Sequence, residues 1–495
     1  MEFSIDTLQI NRWLTEVREF RNIQEGLEPF PLDNVFDVRA SVARIRLEGT
    51  YMEEDELFDL KRSLETIIAV VKFLSVGEEL PNGEIQHTYA ALYALSDGVA
   101  TFPILVQRIS QIIDKFGKMR DSASSDLLQI RRELARVESS ISRTLNSILH
   151  SAQNEGVVER DVTPTMRDGR LVIPVAPGMK RKISGIVHDE SATGKTVFIE
   201  PTEVVEANNK VRELENEERK EIIRILREFA KQVRPYVHEI LDSYHFLALI
   251  DFIRAKAELA RMLKAIEPEV KSEPHIDFIR AIHPLLQLAL AKKQHSTINN
   301  DKPDVVIPLD IQLTIDKHLL IISGPNAGGK SVCLKTVGLL QYMLQCGISI
   351  PVSERSTAGT FQNLMIDIGD EQSIENDLST YSSHLMNMKT MMKQADSHTL
   401  ILIDEFGTGT EPQIGGAIAE AVLKQFWKKQ AWAVITTHYQ NLKHFAEDHK
   451  GVVNGAMLYD RHEMRPLFQL AIGRPGSSFA IEIARKTGIL EEVIN

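Results

Sequence analysis

HLLIISGPNAGGKSVCLKTVGLLQYML, His318 to Leu344, decides the fold class. His318 to Ser323 is an almost unbroken apolar run, the pattern of a strand buried on both faces of a parallel sheet, and the residues after Ser331 read as a helix. Between them, Gly324, Pro325, Asn326, Ala327, Gly328, Gly329, Lys330 and Ser331 match GxxxxGK[ST], in the order strand, loop, helix that the motif requires. Glycines allow backbone N–H groups to face phosphates, and the helix N-terminus adds partial positive charge. Lys330 is predicted to reach the β and γ phosphates and Ser331 to ligate Mg²⁺, so the expected ligands are ATP and Mg²⁺.

About 70 residues on, SHTLILIDE (Ser397 to Glu405) is a second buried strand, and it ends in two acids. Two carboxylates at the end of an apolar strand suit phosphoryl chemistry: Asp404 to hold Mg²⁺, Glu405 to orient and deprotonate the attacking water. A third strand, AWAVITTH, ends at His438, placed to sense the γ phosphate. The polar stretch Asp367 to Tyr381 between loop and acids is unlike a core strand or a core helix, and suits a nucleotide or a partner subunit.

Working outward, 495 residues allow roughly three domains. The 57 Lys and Arg against 69 Asp and Glu give a net charge of -12, which argues against a basic coat, so any DNA contact must be local. Cys333 and Cys346 make neither a disulfide framework nor a zinc site. The acidic N-terminus is no signal peptide, and a cytoplasmic protein is expected. Residues 1–123 read as a helical core or lever. Residues 124–235 read as a coiled-coil arm: Leu127, Ile130, Leu134, Val137, Ile141, Leu145 and Ile148 form one seam, and Val204, Val211, Leu214, Ile222, Ile225 and Phe229 the antiparallel partner's. Within the arm, about 163–201 carries β-branched runs and turn signals, a β-rich tip. Lys180, Arg181, Lys182 and Lys195 make that tip locally basic, and are the candidate contacts to a DNA backbone, a solvated hairpin being the alternative. Residues 236–270 return as helix, and 271–495 form the nucleotide-binding domain.

GPNAGGKS, DLSTYSSHL, DEFGTGTEP and TTHY together resemble the MutS family. IHPLL (Ile282 to Leu286), GIVHDESATGKTVFIEP (Gly185 to Pro201) and GRPGSSFAIEIARKTGI (Gly473 to Ile489) look like its second bacterial type, which lacks the mismatch-reading domain. The resemblance implies an α/β ABC-like P-loop ATPase domain behind a mostly helical lever with a coiled-coil arm and a small β element at its tip. It implies a homodimer in which Ser379 and Thr380 complete the opposite subunit's site and Gly407 to Thr410 line the interface. It implies a clamp on duplex or branched DNA, in repair or suppression of recombination, or alternatively an ATPase that splits stalled or collided ribosomes. Val305 to Leu313 aligns with the family's adenine-side strand. Phe198-Ile199-Glu200 has the pattern of a mismatch wedge but falls in the tip, and is read as chance. The second type continues into a small nuclease domain, and nuclease activity is not expected from the residues present. The coiled coil lies before the phosphate loop and no LSGGQ-like signature occurs, which argues against a structural-maintenance or transporter ATPase.

Overall fold

A computed structural model describes residues 1–167, 169–296, 305–325, 328–368, 380–460, 463 and 465–476. The chain divides into two compact units, Phe30–Leu249 and a second made of Met1–Pro29 with Ile250–Asn495; the boundary falls inside the helix Val237–Leu263.

In the first unit, the helix Glu54–Leu74 opens on a capping box between Glu53 and Glu56 and buries Leu57, Leu60, Leu64 and Ile67, one face of a 3.6-residue repeat. Two longer helices, Ser125–Asn154 and Thr202–Val233, run antiparallel. Near the start of the first, Ser124 Oγ donates to Glu221 (2.6 Å) and Arg131 Nε to Glu218 (2.7 Å), both just past the middle of the second. At the other end Ile141, Leu145 and Leu149 cluster with Val204 and Val211, early in the second. At about 1.5 Å per residue, helices of 30 and 32 residues extend roughly 45 Å.

The same apolar cluster takes in Ile173, Val175, Val197 and Ile199 from a four-stranded antiparallel sheet, ordered Thr165–Arg167, Arg170–Val175, Val197–Pro201, Gly185–Glu190. Every other residue of the two central strands thus faces the helices. Glu200, fully buried, breaks the apolar rule and is satisfied by Arg170 Nη1 on both oxygens (2.8 and 2.9 Å), by Asn208 Nδ2 (2.7 Å) and by His188. Phe198 is buried beneath the Arg167 guanidinium, 4.3 Å from the ring centroid. Phe198-Ile199-Glu200 is therefore interior and has no face to offer a base pair.

The second unit is built on a six-stranded sheet ordered Asn363–Asp367, Thr399–Ile403, Trp432–Thr436, Lys317–Ser323, Gly451–Asp460, Arg465–Ile472. The first five are parallel and the last is antiparallel to its neighbour. Leu319, Ile321, Ile401, Ile403, Ala433 and Ile435 pack on one face against the helices Thr380–Gln394, Pro412–Lys428 and Gln440–Asp448. On the other face lies Lys330–Gln345, close enough that a Cβ on Gly338 would stand 2.5 Å from Leu402 Cδ1. Helices on both faces explain why these strands are uniformly apolar.

The first residues of the chain dock on the C-terminal end of this helix. Ser4 and Gln345 exchange hydrogen bonds of 2.9 Å, Ser4 N–H to the Gln345 carbonyl and Gln345 Nε2 to the Ser4 carbonyl. Phe3 stacks on Tyr342 with centroids 5.5 Å apart. Lys256 Nζ caps the helix at the Cys346 carbonyl (2.9 Å), 5.5 Å from the Trp13 ring centroid. Cys333 and Cys346 are buried free thiols. Among the described residues no helix is long and apolar enough to cross a membrane.

Candidate nucleotide site

The C-terminal ends of the central parallel strands converge on one place, where an open α/β sheet puts its ligands. After Ser323 the chain turns through Gly324 (φ 141°) and Gly329 (φ 91°). A Cβ at Gly324 would stand 3.2 Å from Met457 Cβ, and one at Gly329 would stand 3.0 Å from the Phe468 ring, so both positions need glycine for conformation and for room. Gly328 N–H donates to the Pro325 carbonyl (3.0 Å), and the helix begins at Lys330 with Ser331, half-buried, as its second residue. Asn326 and Ala327 lie outside the described residues. Lys330 is 2 % exposed and its Nζ donates to the Gly324 carbonyl (2.8 Å). Burial pushes its pKa below the ordinary lysine value, against the opposing charges of Glu405 and Asp404.

The acids are held by a residue that sequence reading passed over. Thr436, fully buried at the end of its strand, donates its hydroxyl to Asp404 Oδ1 and accepts the Glu405 N–H at 2.7 Å. One side chain thus fixes both acids, and its strand neighbours are apolar enough that a buried hydroxyl was itself the signal. Asp404 N–H donates to the Asp367 carbonyl (2.9 Å), tying the acid to the neighbouring strand as well. Glu405 adopts φ 50°, a left-handed conformation that a glutamate avoids without a reason, and its carbonyl receives Thr408 Oγ1 (2.8 Å). The turn leaves the Glu405 side chain exposed beside a half-buried Asp404.

His438 follows Thr436 and Thr437. Loss of hydration on its protein side, with the nearby Lys330 ammonium, pushes its pKa below the ordinary histidine value, although Glu405 and Asp404 act the other way. Lys330, Asp404, Glu405 and His438 therefore share one electrostatic environment. Lys443, whose burial lowers its pKa, donates to the Gly476 carbonyl (2.9 Å), and Gly476 N–H donates to Ser323 Oγ (2.8 Å), so the segment after the edge strand closes over the central strand's end. Beside the loop is a cavity of about 180 Å³ lined by Leu286, Ile307, Leu309, Gly329, Val332 and Phe468, and Val305 and Val306 also border it. The residues present fit a phosphate chain and its cation: the loop supplies glycine backbone, a buried ammonium and the Ser331 hydroxyl, and Asp404 supplies a carboxylate oxygen that a cation could use.

Ser379 lies outside the described residues, as does Ser477–Ile489 of the GRPGSS motif; Thr380 is the first residue of the helix Thr380–Gln394. Gly407 and Gly409 both take positive φ, and Tyr439 Oη holds the Gly407 carbonyl at 2.9 Å. In the other unit, Lys180, Arg181, Lys182 and Lys195 are all exposed and none forms an ion pair among the described residues.

Residues 320–495 match the MutS domain V. The chain is 37% identical over 489 residues to an endonuclease MutS2 of Enterococcus faecalis, covering 99% of this chain and 59% of the relative. It is 38% identical over 486 residues to that of a Geobacillus species, again 59% of the relative, and 38% identical over 495 residues to that of Finegoldia magna, 60% of the relative. The chain thus spans about three fifths of the length of the curated relatives it matches. It is a relative of the second MutS type of bacteria, with a MutS domain V over residues 320–495.

Proposed function

We propose that the chain is a Mg²⁺-dependent ATPase that works as a homodimer and clamps duplex or branched DNA, in repair or in suppression of homologous recombination. The observation that carries the ATPase reading is the buried Lys330, held at the Gly324 carbonyl within electrostatic reach of two acids that Thr436 holds in place. Bound Mg²⁺ would neutralise charge building on the phosphates, with Ser331 and Asp404 as its protein ligands. Glu405 accepts the proton of the attacking water, and its left-handed backbone directs it away from the sheet toward that water. Lys330 and the loop amides stabilise the leaving oxygens, and His438 reads the γ phosphate. The apolar cavity beside Gly329 receives the base.

In the same reading Ser379 and Thr380 act on the opposite subunit's nucleotide, with Gly407 to Thr410 along the interface. The two long antiparallel helices serve as the arm. Their sheet presents Lys180, Arg181, Lys182 and Lys195 to a phosphate backbone, a local positive patch on a chain of net charge -12.

The test is steady-state ATP hydrolysis by the purified chain, alone and with duplex DNA, branched DNA or ribosomes. Branched DNA is expected to stimulate turnover more than duplex. Stimulation by ribosomes alone would overturn the DNA reading and leave the clamp acting on a ribosomal ligand.

A further inference from the structure

Asp367 ends the edge strand Asn363–Asp367 and pairs in register with Ile403, the residue before Asp404. Its carbonyl accepts the Asp404 N–H, while its side chain, 5% exposed, faces the helix Thr380–Gln394. There His384 Nδ1 is 2.7 Å from Oδ2, and Asn387 Nδ2 donates to Oδ1 at 3.0 Å. The two residues are three apart, so both partners project from one face of the helix. A carboxylate this buried is costly unless its oxygens are satisfied, so the helix is held to the strand by groups with little freedom to slide. Packing alone does not ask for this: Met388 and Met391 already bury the helix against the core.

We propose that Asp367, His384 and Asn387 are positioning residues that set the first turn of the helix Thr380–Gln394 for use in the opposite subunit's site. The inference rests on the shared-site reading above. It deepens it by identifying what fixes the helix to its strand, and by linking that anchor through one backbone bond to the subunit's own Asp404. A misplacement of about 1 Å at a reacting centre costs on the order of a hundredfold in rate, so the anchor is rate-setting without touching the nucleotide.

The experiment uses tandem-tagged heterodimers of the full chain. His384→Ala alone should lower kcat by about one to two orders of magnitude when assayed well below a melting temperature that itself falls because a buried carboxylate loses a partner, and His384→Asn, which keeps a donor, should recover much of both. Pairing a His384→Ala subunit with a Lys330→Ala subunit should restore about half of wild-type activity, because one site then combines an intact loop with an intact opposing helix. The control pairs Ser379→Ala with Lys330→Ala. If the control is rescued and the His384 pair is not, His384 acts within its own subunit and the inference is overturned while the shared site stands. If the control is not rescued, the shared-site reading falls and takes the inference with it. Wild-type turnover by His384→Ala also overturns the inference. Should His384→Ala fail to fold, Asn387→Ala enters the same pairings with the same expected outcomes.

Discussion

Arg170→Ala removes the guanidinium that pairs, among the described residues, with a carboxylate that has no access to water. Glu200 is 0% exposed, and Arg170 supplies two of its four hydrogen bonds. Breaking a buried pair by deleting one partner costs about 3–5 kcal/mol. Asn208 still serves one oxygen and His188 the other, so the lower end, about 3 kcal/mol, is expected. Burial alone would raise the Glu200 pKa, but the bonds from Asn208, His188 and Arg170 outweigh it and hold it below the ordinary 4.5. A depressed carboxyl stabilises the fold above its unfolded pKa and loses that contribution as pH falls through the folded one. The difference between wild type and variant should therefore be full above about pH 5 and shrink below about pH 4. Local opening is the quantity to read, since the strands Arg170–Val175 and Val197–Pro201 flank the network. At neutral pH, amide exchange of Ile173, Val175 and Val197 to Ile199 should quicken by roughly 100- to 200-fold if exchange proceeds through this opening at equilibrium. Exchange that is unchanged, or quickened equally at all pH values, would refute the assignment of Glu200 as an ionised anchor.

Thr436→Val keeps the shape of a buried side chain but frees both acids; kcat should fall about tenfold while ATP affinity, by equilibrium titration, stays within a few fold. Neutralising Lys180, Arg181 and Lys182 together should leave DNA-free ATP hydrolysis intact and flatten the salt dependence of DNA binding by a slope of about 3, and an unaltered slope would move the contact elsewhere. Gly347→Ala places a Cβ at φ 66° and 2.4 Å from Trp13 Cβ, so the docked N-terminal segment should become protease-sensitive at a cost of about 1–3 kcal/mol in thermal melts.

What could be read from the sequence was what phosphate chemistry writes contiguously. Gly324 to Ser331 and the acids after Thr399–Ile403 are short strings whose residue types have few other uses, and the strands bearing them are apolar because helices cover both faces. The paired periodicities of Ser124 to His150 and Val204 to Phe229 were visible for a similar reason: each falls in a helix, Ser125–Asn154 or Thr202–Val233, with one apolar stripe. Contacts between distant segments were not legible. Thr436 reaches Asp404 across 32 positions and Asp367 meets His384 across 17, and neither pairing leaves a local pattern. Ser4 on Gln345 spans 341 residues, and nothing in MEFSIDTLQI announces it. Glu200 looked like part of a chance tripeptide because its partners Arg170, His188 and Asn208 come from three separate elements.

The most direct test of the central claim sets ATP binding beside turnover for Glu405→Gln and Lys330→Ala. Glu405→Gln leaves Lys330, Ser331 and Asp404 in place, so it should bind ATP about as well as wild type while turning over at least about tenfold more slowly. Lys330→Ala should lose both. Unchanged turnover by Glu405→Gln would contradict the role of Glu405 as general base, and Mg²⁺-dependent hydrolysis surviving Lys330→Ala would contradict the nucleotide site itself.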